Sequence, residues 1–440
     1  MKFYKPQAFC LVATLLAAAM PVFSNSEAAQ PNFLLIYGEG SGWVSTSVQM
    51  EANNPASKST FIETPNLERL AASGLTFSRG YAPSPRCTPS RAGLVTGKSP
   101  AQLRMTYVSA SGLPNRVKPA EMKMSPPAPV TALAEEETTY AEVLQQAGYA
   151  TAHFGKWHLG KADPTSHGYD ESDGANSNRP PSGDSKDNQA EYLATAEKGI
   201  DFMQRQVEAG QPFLLQVDHY PIMDDRSSDA RLAEVALAMD ASFGQLYDAL
   251  EELGVADNTY VIYTTDHGTH GELNTPLSNG KGSVLEGGLR VPFIVSGPGV
   301  RAAQWTDEPV TALDIFPTIA ELSGNKDAIS ADVEGGSLAA VLQDKNSSVQ
   351  RSREEIVFHF PHYDLDNAGP ATAILLGDYK LVKNYEAVET LLFNLLEDPG
   401  ESKDLSTAMP KLVAELDKKL VAYLEAIDAQ MAEFNPDYAN

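Results

Sequence analysis

The chain has 440 residues, with 33 Lys plus Arg against 58 Asp plus Glu and a formal charge of −25, a balance that excludes nucleic acid as a partner. With 42% apolar and 21% charged residues it is neither disordered nor of low complexity. The only cysteines are Cys10 and Cys87, which excludes a disulfide framework.

Lys2 and Lys5 precede an apolar run from Ala8 to Met20 that is followed by small residues. This reads as a signal peptide over residues 1–28, so the mature chain is expected in the periplasm or outside the cell, with Cys10 removed. No later run approaches the roughly 20 apolar residues of a membrane span. Asn32 to Tyr37 (NFLLIY) is unbroken and apolar, as expected for a strand buried on both faces of a parallel sheet. Thr64-Pro65 opens a short helix that stops at Gly74. Helix and strand then alternate: a helix from Thr139 to Ala147 before a strand Ala150 to Phe154, a helix Tyr192 to Glu208 before a strand Phe213 to Val217, and a helix Asp229 to Leu253 before a strand Tyr260 to Thr264. Such alternation predicts an α/β sheet with helices on both faces. Two long polar loops, Ser109 to Glu137 and Lys161 to Lys186, interrupt it and are expected to set substrate choice. Past Val341 come short strands at Ile356 to Phe360, Ala373 to Leu376, Tyr379 to Lys383 and Leu391 to Leu395, then a closing helix from Lys411 to about Phe434. The expected division is a signal peptide (1–28), a catalytic domain (29–345) and a small C-terminal α+β subdomain (346–440).

Cys87 lies in Cys87-Thr88-Pro89-Ser90-Arg91. A free cysteine is ordinarily a small buried hydrophobe, but four fixed positions arise by chance only about 0.003 times in a chain of this length. Pro89 suits the first turn of a helix, which places Cys87 at a helix N-terminus that favours an anion. Cys-x-Pro-Ser-Arg resembles the signature of the type I sulfatases, in which this cysteine is oxidised to formylglycine by a maturation enzyme. Other blocks extend the resemblance in the family's order: Thr64-Pro65-Asn66-Leu67, Gly155-Lys156-Trp157-His158-Leu159-Gly160, Thr265-Asp266-His267-Gly268, Gly280-Lys281-Gly282, Glu286-Gly287-Gly288, Gly377-Asp378-Tyr379-Lys380-Leu381 and Asp398-Pro399-Gly400-Glu401.

The resemblance implies an alkaline-phosphatase-like α/β/α fold with a large, mostly parallel central sheet. It implies a formylglycine hydrate at Cys87, oriented by Arg91, with Lys156, His158 and Lys281 binding the sulfate. A hydrate has two hydroxyls on one carbon, so one can take the sulfate and the other expel it, whereas a serine would be left as a stable sulfate ester. Glu39, Cys87, Asp266 and His267 are implied as holders of a divalent metal, calcium being usual for the family. Where the family has two adjacent aspartates this chain has Glu39 and Gly40, so one carboxylate is lost and the preference for a hard ion weakens. His219 is either the family's leaving-group histidine on a shortened loop or a strand residue upstream of a deleted one. The implied activity is hydrolysis of sulfate esters on a sulfated carbohydrate, a marine algal polysaccharide or its oligosaccharides. The alternatives are a phosphate or phosphonate ester hydrolase on the same site, and a non-catalytic carbohydrate-binding homologue.

Overall fold

The computed structural model describes residues 1–3, 30–114, 121–179, 188–221, 229–364 and 369–438. Residues 4–28, most of the expected signal peptide, lie outside them. Among the described residues no helix is long and apolar enough to cross a membrane.

An eight-stranded sheet runs in the order Gln304–Thr306, Gly74–Phe77, Phe293–Ser296, Thr259–Thr265, Asn32–Gly38, Phe213–Asp218, Ala150–Gly155, Glu171–Ser172. Asn32–Gly38 is central and every residue in it is buried, which is why its sequence shows no polar alternation. Phe33, Leu35 and Tyr37 face one apolar core, shared with helices Cys87–Thr96, Tyr140–Gln146 and Ile315–Leu322. Leu34 and Ile36 face a second core under helices Pro65–Ser73, Asn188–Ala209 and Asp229–Glu252. The result is the α/β/α sandwich expected. Local signals reinforce it: Thr139 and Glu142 form a reciprocal capping box at the start of Tyr140–Gln146.

Phe293–Ser296 is antiparallel to both neighbours, so the sheet is mostly parallel. Only four residues long, it follows Pro292 and the single-turn helix Glu286–Leu289, too little apolar sequence to announce a strand, and the sequence reading passed over it.

Four antiparallel strands, Ile356–Phe360, Ala371–Leu376, Tyr379–Asn384 and Glu389–Asn394, form a meander. One face packs on helix Pro410–Ala426 through Ile374, Leu381, Leu416 and Leu420. The other meets Tyr81, Tyr107 and Leu289 of the main body. The closing helix does not reach Phe434: it ends at Ala426, and Asp428 adopts φ 48, the left-handed turn that terminates helices. Glu433–Phe434 then pairs with Met124–Ser125 as a two-stranded ladder.

Candidate active site

The carboxyl ends of four neighbouring parallel strands supply most of the site. Asn32–Gly38 delivers Glu39, Ala150–Gly155 delivers Lys156, Phe213–Asp218 ends on Asp218, and Thr259–Thr265 delivers Asp266 and His267. This is where open α/β sheets bind ligands. The close approach of two of these strands explains Gly155: a Cβ there would stand 1.9 Å from the Asp218 carbonyl, and Lys156 N donates to that same oxygen at 2.9 Å.

Cys87 is the first residue of helix Cys87–Thr96, all ten residues of which are buried. Ser90 fixes the entry to the helix, its Oγ accepting from Ser84 N at 3.1 Å and donating to Ser84 O at 2.7 Å. Cys87 Sγ lies 3.2 Å from His267 Nε2, 3.4 Å from Glu39 Oε1 and 3.7 Å from Lys281 Nζ. Burial and Glu39 act to raise the thiol pKa, but Lys156, Lys281 and His267 outweigh them and hold it well below the ordinary value. Lys156 Nζ, fully buried, sits 2.6 Å from Glu39 Oε2. His158 adopts φ 57, a conformation that costs a non-glycine residue strain and persists mainly at functional sites. Burial and the Lys156 charge push its ring pKa down, against the opposing pull of Cys87.

Arg91 lies one turn on from Cys87, and its guanidinium joins the strand ends. Nη1 donates to Asp218 Oδ2 at 2.6 Å and to the Lys156 carbonyl at 2.7 Å. Nη2 donates to Glu39 Oε2 at 3.1 Å and to Asp266 Oδ2 at 3.2 Å.

Glu39, Cys87, Asp266 and His267 each offer a donor atom within 4.8 Å of the others, all buried. His267 Nδ1 faces the Gly268 carbonyl at 2.9 Å. A carbonyl only accepts, so Nδ1 carries a proton, and Nε2 faces Asp266 Oδ1, 3.4 Å away, and Glu39 Oε1, 3.7 Å away. Two carboxylates, an imidazole nitrogen and the residue-87 side chain, converging within 4.8 Å, form a donor set that fits a divalent ion. Burial and Glu39 push the Asp266 carboxyl up to about 7, while Lys156 and its neighbours hold Glu39 low. Gly40 supplies no side chain, but its backbone N–H donates to Asp266 Oδ1 at 2.9 Å.

The chain matches the Sulfatase family model over residues 31–325. It belongs to the sulfatase family. The sulfatase, a sulfuric ester hydrolase, is 29% identical to N-acetylgalactosamine-6-sulfatase of Sus scrofa over 93% of this chain and 87% of that one. It is 27% identical to a sulfatase of Formosa agariphila over 94% and 92%. In fold it resembles Ps i-CgsB in complex with k-i-k-neocarrahexaose, at TM-score 0.71, 24% identity and coverage of 90% and 92%. It also resembles the PsFucS1 sulfatase from Pseudoalteromonas sp., at TM-score 0.70, 20% identity and coverage of 91% of each chain.

Of the residues singled out in the sequence, Glu39, Cys87, Arg91, Lys156, His158, Asp266, His267 and Lys281 meet in this one site. His219 stands apart: its backbone N–H continues the sheet to Tyr37 O at 3.1 Å, and its ring packs edge-on against Tyr192, 5.3 Å between centroids. Among the described residues neither ring nitrogen has a hydrogen-bond partner, and burial pushes its pKa down to about 4. Asp218, one residue earlier, is the site member that sequence reasoning missed; the available signal was an acid closing an otherwise buried strand. The cleft over Glu39, His267 and Lys281 is lined by Gly40, Ser41, Val44, Ser45, Phe61, Ile62, Pro221, Leu232, Ala236, Met239, Gly268, Thr269, His270 and Leu273, while Asn176 of the second long loop holds the backbone N–H groups of Trp157 and His158.

Proposed function

We propose that this sulfatase is an exported enzyme that removes sulfate from a sulfated carbohydrate, with Cys87 matured to formylglycine. The observation that carries the reading is the setting of Cys87 Sγ, the precursor atom of that group. It stands at a helix N-terminus with Lys281 Nζ at 3.7 Å and His267 Nε2 at 3.2 Å, and with Lys156 close enough to lower its pKa. Such a site is built to receive a tetrahedral anion.

Lys156 and Lys281 bind the sulfate as point charges beside residue 87. Arg91, locked by Asp218, Glu39 and Asp266, holds the residue at its post and is not free to swing into the cleft. His158, whose ring pKa is pushed down by burial and Lys156 and which lies within electrostatic reach of residue 87, can carry a proton to or from it. When formed, the aldehyde hydrate supplies one hydroxyl to take the sulfate and a second to release it. Glu39, Asp266 and His267 would hold a divalent ion, whose contribution is electrophilic stabilisation of anionic oxygen. Calcium is the family's metal; the nitrogen donor and Gly40 favour a more borderline ion. His219 is given no step.

The carbohydrate class is supported by relatives named N-acetylgalactosamine-6-sulfatase. A marine algal substrate is supported by the acidity of the chain, −25 overall, which suits a protein working in salt. The division at residues 28 and 345 and the signal peptide complete the reading. Mass spectrometry of the peptide containing residue 87, from protein of the native host, should show the aldehyde. Sulfate release over carrageenan, ulvan and fucoidan oligosaccharides should then identify the substrate. Unmodified thiol would defeat the mechanism, and turnover of an aryl sulfate with no saccharide cleaved would defeat the carbohydrate reading.

A further inference from the structure

The cleft over Cys87 continues past the reacting centre. Its floor includes Glu39, His267 and Lys281, one wall is Leu232, Ala236 and Met239 of helix Asp229–Glu252, and its lip is Phe61 with Ile62. Phe61 and Ile62 also line a second depression, which holds the hydroxyls of Ser47, Ser59 and Thr60 and the carboxylates of Glu63 and Glu68. Phe61 is 38% exposed and forms the ridge between the two. A phenyl ring kept in water at a cleft mouth offers a flat apolar face to a ligand.

The two depressions differ in charge. The inner one sets the cation of Lys281 against the single acid Glu39, so it can receive sulfate. The outer one is lined by exposed Glu63 and Glu68 and by no lysine or arginine among the described residues, so its potential is negative and repels an anion.

We propose that the outer depression is a second sugar subsite: it takes the ring joined to the sulfated one, stacks it on Phe61, binds its hydroxyls through Ser59 and Thr60, and selects for a ring without charge. This rests on the carbohydrate reading above. The sulfatase then acts on sulfated residues whose neighbour is neutral, and discriminates against neighbours bearing carboxylate or sulfate.

The test uses the matured full chain with three substrates: an aryl sulfate, a disaccharide with a neutral neighbour, and the same disaccharide with a carboxylate on that neighbour. Wild type should favour the neutral disaccharide over the anionic one by about tenfold in kcat/KM. Phe61→Ala should lower the ratio of disaccharide to aryl sulfate kcat/KM about tenfold. The Glu63→Gln/Glu68→Gln double variant should raise the anionic-to-neutral ratio by at least about threefold, and more at low salt. Equal turnover of the two disaccharides by wild type, or a ratio unchanged by Phe61→Ala, overturns the subsite and leaves the carbohydrate reading standing. Wild-type turnover of the aryl sulfate alone overturns both.

Discussion

Asp218 Oδ2 lies 2.6 Å from Arg91 Nη1, and both side chains are only 2% exposed. Asp218 is itself held: Gln216 Nε2 donates to its Oδ1 at 2.9 Å, and the Gln216 amide oxygen accepts from the hydroxyls of Tyr140 and Tyr169. The family pattern supplies two adjacent aspartates after the first strand, and here the second is Gly40. Asp218 supplies a buried negative charge to the guanidinium from a neighbouring strand. Asp218→Asn keeps the shape and removes the charge, so Arg91 should lose one charge-assisted hydrogen bond, worth about 1.5–3 kcal/mol. The expected result is a fall in kcat of about ten- to a hundredfold with KM little changed. Equal loss in both parameters would mean that Asp218 serves substrate binding instead.

Much of this site was legible before any coordinates. The apolar strands, their helices and the Cys87 block each carry their own local signal, because a strand buried on both faces must be apolar and a glycine must stand where two backbones nearly touch. Asp218 was not legible. Its role depends on Phe213–Asp218 lying between Asn32–Gly38 and Ala150–Gly155, a long-range pairing at which the acid closing the strand hints without naming its partner. The cleft walls were hidden for a similar reason: Phe61 and Leu232 come from ordinary-looking segments.

Cys87→Ser and Cys87→Ala separate chemistry from structure. Neither residue can become an aldehyde, and both are small enough for a site where Sγ packs among side chains 3.2 to 3.7 Å away. Both variants should fold with a Tm near wild type. Cys87→Ala should show no turnover. Cys87→Ser should at best accumulate a stable sulfated enzyme, visible as a single added sulfate by intact-mass analysis.

Two buried histidines outside the site should make the fold sensitive to acid. His359 Nε2 donates to the Gln430 carbonyl at 2.8 Å while Nδ1 accepts from Thr372 Oγ1 at 2.6 Å. His362 Nδ1 donates to the Gly112 carbonyl at 3.0 Å while Nε2 accepts from Thr106 Oγ1 at 2.8 Å. Each ring is therefore neutral, and burial pushes the two pKa values down to about 4 and about 3. An unfolded histidine titrates near 6.5, so below that pH the unfolded state takes up the proton first. Stability should fall as pH drops from about 6.5 toward about 4, by about 1.4 kcal/mol per pH unit for each histidine. Glu401, pushed up to about 7 by burial, acts in the opposite sense over part of that range, so the comparison must be between variants. Urea unfolding of wild type and His359→Gln at about pH 7 and about pH 5 should give a shallower pH slope for the variant. Parallel slopes would show that the ring is not held neutral.

Three family-like blocks that contribute nothing to the reacting centre meet in one buried cluster. Lys380 Nζ lies 2.9 Å from Glu286 Oε1 and 2.9 Å from Glu401 Oε1, and all three side chains are 0% exposed. Glu286 also accepts from Tyr81 OH at 3.0 Å, and its backbone N–H donates to Glu401 Oε2 at 2.7 Å. One ammonium thus serves two carboxylates, and burial together with Glu286 pushes the Glu401 carboxyl up to about 7 in spite of Lys380. The two obvious substitutions should therefore differ. Glu401→Gln exchanges a carboxyl already close to neutral for an amide whose oxygen can still accept from Glu286 N, and should cost about 1 kcal/mol or less. Lys380→Met leaves Glu401 without a cation and Glu286 with only Arg290, 3.7 Å away, and should cost about 3–5 kcal/mol. The damage should also reach the active site, because Glu286 begins the short helix Glu286–Leu289 and Gly288 O accepts from Gly268 N at 2.9 Å, directly beside His267. Lys380→Met should consequently lose activity at temperatures below its own Tm, whereas Glu401→Gln should lose activity only where it unfolds. Melting curves and activity followed on the same samples distinguish the two, and activity that tracks the folded fraction in both variants would reduce the cluster to a purely structural role.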